Sequence, residues 1–202
     1  MATKISFILI LFFAGTVVIF PQSDTVRGST LSLDAGYAFT GSGDLNGYCL
    51  YNEYSFPLGK RFGMAPAVGV LNFFGDDRDN TYDNPVLMTK ATCVSFGFTG
   101  YFCPLTLKIM DVETGLGFYY RTWHWVYATG PGNSYAVPGL SLGPGSHGHR
   151  HAGSPGYTVS VGTILKAAPR FGISLRGVYQ NDLDGDNSLT FRLGVRIGLS
   201  CP

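Results

Sequence analysis

Charge is scarce in this chain. Only 13% of its 202 residues are Asp, Glu, Lys or Arg, about half the usual share for a soluble domain. The two signs balance, with Lys+Arg 14 against Asp+Glu 13. There is no basic surplus of the kind that marks a nucleic-acid partner. The cysteines Cys49, Cys93, Cys103 and Cys201 contain no C-x-x-C spacing, which argues against a zinc knuckle. Glycine is abundant but not periodic, which excludes collagen. Past Phe20 no apolar run approaches the length of a membrane-spanning helix.

The one long apolar run follows Lys4 and is dominated by Ile5–Phe20. It reads as an export signal over residues 1–23, with an uncleaved anchor as the other reading. A short segment, 24–29, precedes a single β domain over 30–199, and 200–202 form a tail. Removing the segment that carries Lys4 leaves equal numbers of cationic and anionic side chains. An exported chain can oxidise its thiols. Cys103 with Cys201 and Cys49 with Cys93 are two possible pairs, and free buried thiols are the alternative.

The dominant pattern is alternation. In Ser188–Leu199 every second residue is apolar: Leu189, Phe191, Leu193, Val195, Ile197 and Leu199. Between them stand Thr190, Arg192, Gly194, Arg196 and Gly198. Side chains of a strand point alternately to its two faces, so one face is continuous grease and the other is small or cationic. Similar alternation predicts strands at about 31–40, 47–56, 61–74, 91–102, 107–127, 156–166 and 171–180. Short connections follow the second, fourth and sixth strands. Longer ones follow the others, notably Gly75–Lys90, which carries Asp76, Asp77, Asp79 and Asp83, and Ala128–Pro155. Short turns at one end and long loops at the other fit a transmembrane barrel.

The strand charges test the phase. Asp34, Glu53, Glu113, Arg121, Arg176, Arg192 and Arg196 all lie opposite the greasy phase. None falls on the greasy phase, where a midplane Arg or Lys would cost roughly 2–4 kcal/mol. The prediction is an all-β, eight-stranded, antiparallel, up-and-down transmembrane β-barrel. A lumen of this size is just wide enough for side chains to fill. Buried charges persist only when paired, so a plug of carboxylate–guanidinium pairs is expected. Arg192 and Arg196 should face Glu53, Glu113 or Asp34, and the last strand should close the barrel against 30–40.

These strands resemble the small OmpA-like outer-membrane β-barrel family. In the last strand, Arg192, Gly194, Ile197 and Leu199 are similar to the terminal assembly signal of such proteins. The hairpin from Val178 through Asn181 to Asn187 looks like that of Bacteroidetes-type members. The resemblance implies the outer membrane of a Gram-negative bacterium and recognition by the barrel-assembly machinery. It also implies contact with outer-membrane lipid and lipopolysaccharide, and a monomeric state.

Several residues are candidates for chemistry. His147, His149 and His151 alternate in the longest loop, and imidazoles so spaced can converge on Zn²⁺ or Cu²⁺. A solvated, Gly-rich loop is the plainer reading. Asp182, Asp184, Asp186 and Asn187 resemble part of a calcium loop. Its sixth and twelfth positions hold Asn187 and Leu193 where Gly and Glu are needed. The acidic loop around Asp76–Asp83 could meet lipopolysaccharide through divalent cations. Trp123, Trp125 and Tyr127 fall on the polar phase. Either a bulge switches register there or the strand has left the membrane, and the rings suit an interfacial girdle. His124, Ser95 and Glu113 are the only set that could serve a lipid A-modifying enzyme. No cofactor is implied. The function expected is non-enzymatic, envelope-structural or surface-interacting through long loops. A narrow small-solute channel and a lipid A-modifying enzyme are the alternatives.

Overall fold

The structure, a computed structural model, describes residues 28–41, 45–76, 86–129, 135–137, 140–143, 145–183 and 187–199. The export segment, the acidic residues 77–85, Asp184, Asp186 and Cys201 lie outside the described residues. Ten strands are present among the described residues: β1 (Thr30–Thr40), β2 (Asn46–Pro57), β3 (Phe62–Asp76), β4 (Val86–Thr106), β5 (Met110–Thr129), β6 (Tyr135–Val137), β7 (Leu140–Leu142), β8 (His147–Ala168), β9 (Phe171–Asp182) and β10 (Asn187–Gly198). Strands β6 and β7 form a separate two-stranded sheet. The other eight close into one barrel in the order β1-β10-β9-β8-β5-β4-β3-β2. Every neighbour pair is antiparallel. Closure joins β1 to β10 from Thr30↔Gly198 to Thr40↔Ser188. The barrel therefore has no free edge along that seam.

Polarity is inverted relative to a water-soluble barrel. Phe118 is 75% exposed and Leu116 65%, whereas Arg121 is 0% and Asp34 1% exposed. The alternation forces this result. Closing the sheet turns one phase of every strand inward, and that phase carries the charges. The outward phase forms an apolar belt that includes Leu116, Phe118 and Tyr120 of β5 and continues on every other barrel strand. An exposed band of this extent suits hydrocarbon, not water.

Strand length differs sharply around the wall. Strands β1, β2, β9 and β10 have 11 or 12 residues, while β4, β5 and β8 have 21, 20 and 22. These three are neighbours, in the order β8-β5-β4. They rise past the ends of the short strands as a one-sided wall.

The wall corrects the expected loop over Ala128–Pro155. Residues 147–155 are strand and pair with β5 from His147↔Ala128 to Pro155↔Tyr120. The glycines, serines and proline of this stretch suggest a loop when read locally. Pro155 is tolerated because its missing N–H is on the β9 side. There its carbonyl accepts from Leu183 N at 3.0 Å, just beyond the end of β9. The ladder to β5 is unbroken.

Candidate functional site: a sealed lumen under a one-sided wall

The lumen is built in layers from the inward phase of the strands. At the end with the short turns lies a vestibule of about 760 Å³, with Lys60, Arg61, Lys108, Lys166 and Arg170 among its lining residues. Lys166 Nζ is 2.8 Å from Asp111 Oδ1. The vestibule ends on Arg196, Glu113 and Tyr101.

Those residues belong to a ring of ion pairs that crosses the barrel. Arg176 on β9 donates from Nη1 to Glu53 Oε2 on β2 at 2.8 Å and from Nη2 to Glu53 Oε1 at 3.3 Å. Arg196 on β10 donates from Nη1 to Glu113 Oε1 on β5 at 2.9 Å. Cross links complete the ring, Arg176 Nη2 to Glu113 Oε2 at 3.8 Å and Arg196 Nη2 to Glu53 Oε1 at 3.6 Å. Tyr101 donates to Glu53 Oε2 at 2.6 Å and accepts from Arg176 Nη1 at 3.0 Å. Two anions alternate with two cations, so no member is buried without an opposite charge. That is the condition for keeping ions in a low-dielectric interior.

Above the ring is a void of about 30 Å³, of water size. Next comes Arg192, whose guanidinium lies 3.3 Å from the centroid of the Tyr51 ring. Its Nε donates to Thr190 Oγ1 at 2.9 Å. Asp34 accepts from Ser174 Oγ at 2.7 Å.

The top layer is centred on Asp182. Arg121 Nε donates to its Oδ1 at 2.7 Å and Oδ2 at 2.9 Å, and Nη2 stands 2.6 Å from Oδ1. Trp123 Nε1 donates to Oδ2 at 3.1 Å, and Tyr119 donates to Oδ1. An apolar cap of Leu45, Leu71, Phe73, Ala91 and Cys93 packs around Trp123.

Of the seven charges predicted for the lumen, all seven are inward and buried. Arg196 meets both glutamates, whereas Arg192 meets neither. Glu53 and Glu113 are engaged by Arg176 and Arg196, and Arg192 stacks on an aromatic face instead. Asp182 corrects the calcium-loop reading. It ends β9 as a buried counter-ion rather than opening a loop, and sequence reasoning missed it as a lumen charge because turn residues follow it.

Trp123, Trp125 and Tyr127 are not a girdle. The β5 pairing runs from Cys93↔Trp123 to Tyr127↔Thr89 with no register shift. The rings therefore stay inward and line the inner side of the wall. Trp123 stacks on Trp125 at 5.1 Å, Trp125 on Tyr127 at 6.3 Å, and Trp123 reaches Phe73 at 5.7 Å. The strand has left the apolar belt without a bulge, because the wall continues where the short strands stop.

The fold is that of the small outer-membrane barrels. Neisserial surface protein A is similar at 16% identity and TM-score 0.55, over 86% of this chain and 98% of that one. A major outer membrane protein from Thermus thermophilus is similar at 13% identity and TM-score 0.53, over 86% of this chain and 100% of that one. The N-terminal β-barrel domain of Pseudomonas aeruginosa OprF is similar at 9% identity and TM-score 0.51, over 86% and 98%. No protein-family model and no curated protein matches the chain. At these identities the likeness is one of fold, and the resemblance to Bacteroidetes-type members rests on the Val178–Asn187 hairpin alone.

The candidate enzyme set does not assemble. His124 is outward, opposite Thr92, while Ser95 and Glu113 are buried on the inward side. The barrel wall separates the imidazole from the other two groups. Cys49 and Cys93 are free thiols, and Cys103 is buried. Cys49 and Cys93 both pair with Leu71 of the intervening strand. They are two strand spacings apart, about 9–10 Å, beyond the roughly 7 Å a disulfide spans.

The histidines are regrouped rather than dispersed. His149 and His151 are on β8, on the outward face, with His151 directly opposite His124. His147 stands one step further out, opposite Ala128. His124 lies two outward positions beyond Tyr120, outside the apolar belt. Desolvation against the wall, then the neighbouring His151 and His149 rings, push its imidazole below the usual histidine range.

Proposed function

We propose that this chain is an outer-membrane protein of a Gram-negative cell that catalyses no reaction. On this reading it presents its wall and long loops at the cell surface. The observation that carries the reading is the ion ring of Glu53, Arg176, Glu113 and Arg196, which fills the lumen where a pore would need open space. What remains for interaction is the outside of the molecule, and rigid scaffolds commonly carry function on their loops.

The short turns and vestibule face the periplasm in this arrangement, because outer-membrane barrels keep short turns there and long loops outside. The apolar belt meets lipid, and lipopolysaccharide surrounds the base of the wall. Arg192, Gly194, Ile197 and Leu199 serve as the signal for the barrel-assembly machinery. Arg192 and Gly194 are inward, while Ile197 and Leu199 are outward, 46% and 40% exposed, so only the latter two present a side chain outside the barrel. The chain works as a monomer, since the barrel closes within one chain, β1 on β10.

Membrane fractionation followed by a heat-modifiability gel tests the reading, combined with protease treatment of whole cells. The folded barrel should sediment with the outer membrane, shift on boiling, and be clipped at the loop end only. A soluble band that does not shift overturns it.

A further inference from the structure

We propose that His124, His149 and His151 form a binding site for a divalent transition-metal ion of the copper, nickel and zinc class on the outer face of the wall. The site is independent of the functional reading above. It rests on the register of β5 and β8. His124 and His151 are a directly opposed pair, and His149 is the diagonal neighbour, opposite Val126. Opposed and diagonal side chains on one face of a sheet are within reach of one another.

The separations fit a shared ion. His124 Nε2 and His149 Nδ1 are 3.2 Å apart. Two imidazole nitrogens at about 2.0–2.1 Å from one tetrahedral Zn²⁺ stand roughly 3.3 Å from each other. Without metal, that contact is a hydrogen bond in which one ring must donate. All three rings are close but turned: His124 is stacked on His149, with centroids 5.3 Å apart and planes at 22°, and on His151, at 4.4 Å and 4°. As they stand, no three ligand side chains among the described residues converge on one point. His149 and His151 are both exposed, so rotations of these two side chains can aim their nitrogens at a shared ion without moving either strand.

The donor set selects the ion class. Three imidazoles with no carboxylate suit copper, nickel and zinc, with copper bound most tightly. Calcium and magnesium demand oxygen ligands. Cations nearby do not crowd the site. Arg150 falls on the opposite phase of β8, and Lys90 on β4 leans over the Phe74 ring at 5.4 Å. The plainer account is a cross-strand histidine ladder held by stacking and one hydrogen bond, which would bind metal no better than isolated surface histidines.

The test uses the full chain refolded into lipid nanodiscs and titrated with Cu²⁺ and, separately, Zn²⁺. One ion per barrel should bind, and the Cu²⁺ electron paramagnetic resonance spectrum should show coupling to at least two nitrogens. His124→Gln and His149→Gln should each weaken binding by about tenfold or more, while His147→Gln changes it by less than about twofold. Binding should weaken as the pH falls, because protons compete with the metal for the same nitrogens. Heat-shifted mobility confirms that each variant is folded, and the spectrum of the unaltered protein needs no variant. A single-nitrogen spectrum overturns the proposal. So does unaltered protein binding no tighter than His124→Gln, or a loss for His147→Gln equal to that for His124→Gln.

Discussion

Arg121 and Asp182 show how much stability one buried pair can govern. Both side chains are fully buried, and Tyr119, Trp123 and Ser188 add hydrogen bonds to the pair. Arg121→Met should therefore destabilise the barrel by about 3–5 kcal/mol, because Asp182 is left charged and unpaired. The double variant Arg121→Met with Asp182→Leu should recover most of that loss. Urea unfolding in lipid vesicles measures both. A second residue-scale prediction concerns Gly194, directly opposite Asp34. A Cβ there would stand 1.7 Å from Asp34 Oδ1 and 2.6 Å from the Leu33 carbonyl oxygen. Gly194→Ala should cost roughly 1–3 kcal/mol through overpacking, whatever its effect on assembly. At this scale, alternation made the inward position of each of the seven lumen charges legible. Partners were less legible, because they depend on which strands face one another across the lumen. Asp182 shares the parity of Arg176 and Gln180, so the signal was present two residues past the point where turn residues suggest that the strand ends.

Elements were legible where the alternation crossed the apolar belt and obscured where it rose above it. Predicted strands at 31–40, 171–180 and 188–199 match β1, β9 and β10 closely, since each is confined to the apolar belt. The upper half of β8 has no greasy phase to reveal it. Its outward residues are histidines and glycine, and only pairing with β5 makes it a strand. The same tertiary cause governs Trp123, Trp125 and Tyr127. Local sequence associates aromatics with an interface, but the wall gives these rings an inner surface on which to stack. A prediction at this scale contrasts two heights on the outward face of β5. Phe118→Arg puts a cation in the middle of the apolar belt and should cost about 2–4 kcal/mol by equilibrium unfolding in a bilayer. Thr122→Arg, above the belt and outward, should cost far less in the same assay.

At the scale of the whole molecule, inverted polarity and a filled interior follow from a single cause. With so few charges available, nearly all those on strands face one another inside, and closure of eight strands leaves them little other space. The vestibule is consequently blind, stopped by the Glu53–Arg176–Glu113–Arg196 ring. Planar-bilayer recordings of the refolded protein should show no steady conductance, and a stable open level would refute the sealed lumen. Fold class was fully legible from the sequence. Function was not, because the short-strand side of the barrel is architecture common to many roles, and the distinctive part is the wall.

That wall gives the molecule a compass bearing. Eight strands of equal height would look the same from every azimuth in the plane of a membrane, and a partner arriving from above would have no preferred side. Raising β4, β5 and β8 alone fixes a front and a back. Whatever rests against Trp125 and Tyr127 sits over the barrel axis. Whatever touches His124 and His151 sits beside the barrel, above its apolar belt. Two kinds of contact can thus be made at once without competing, and each imposes a heading on the protein relative to its surroundings.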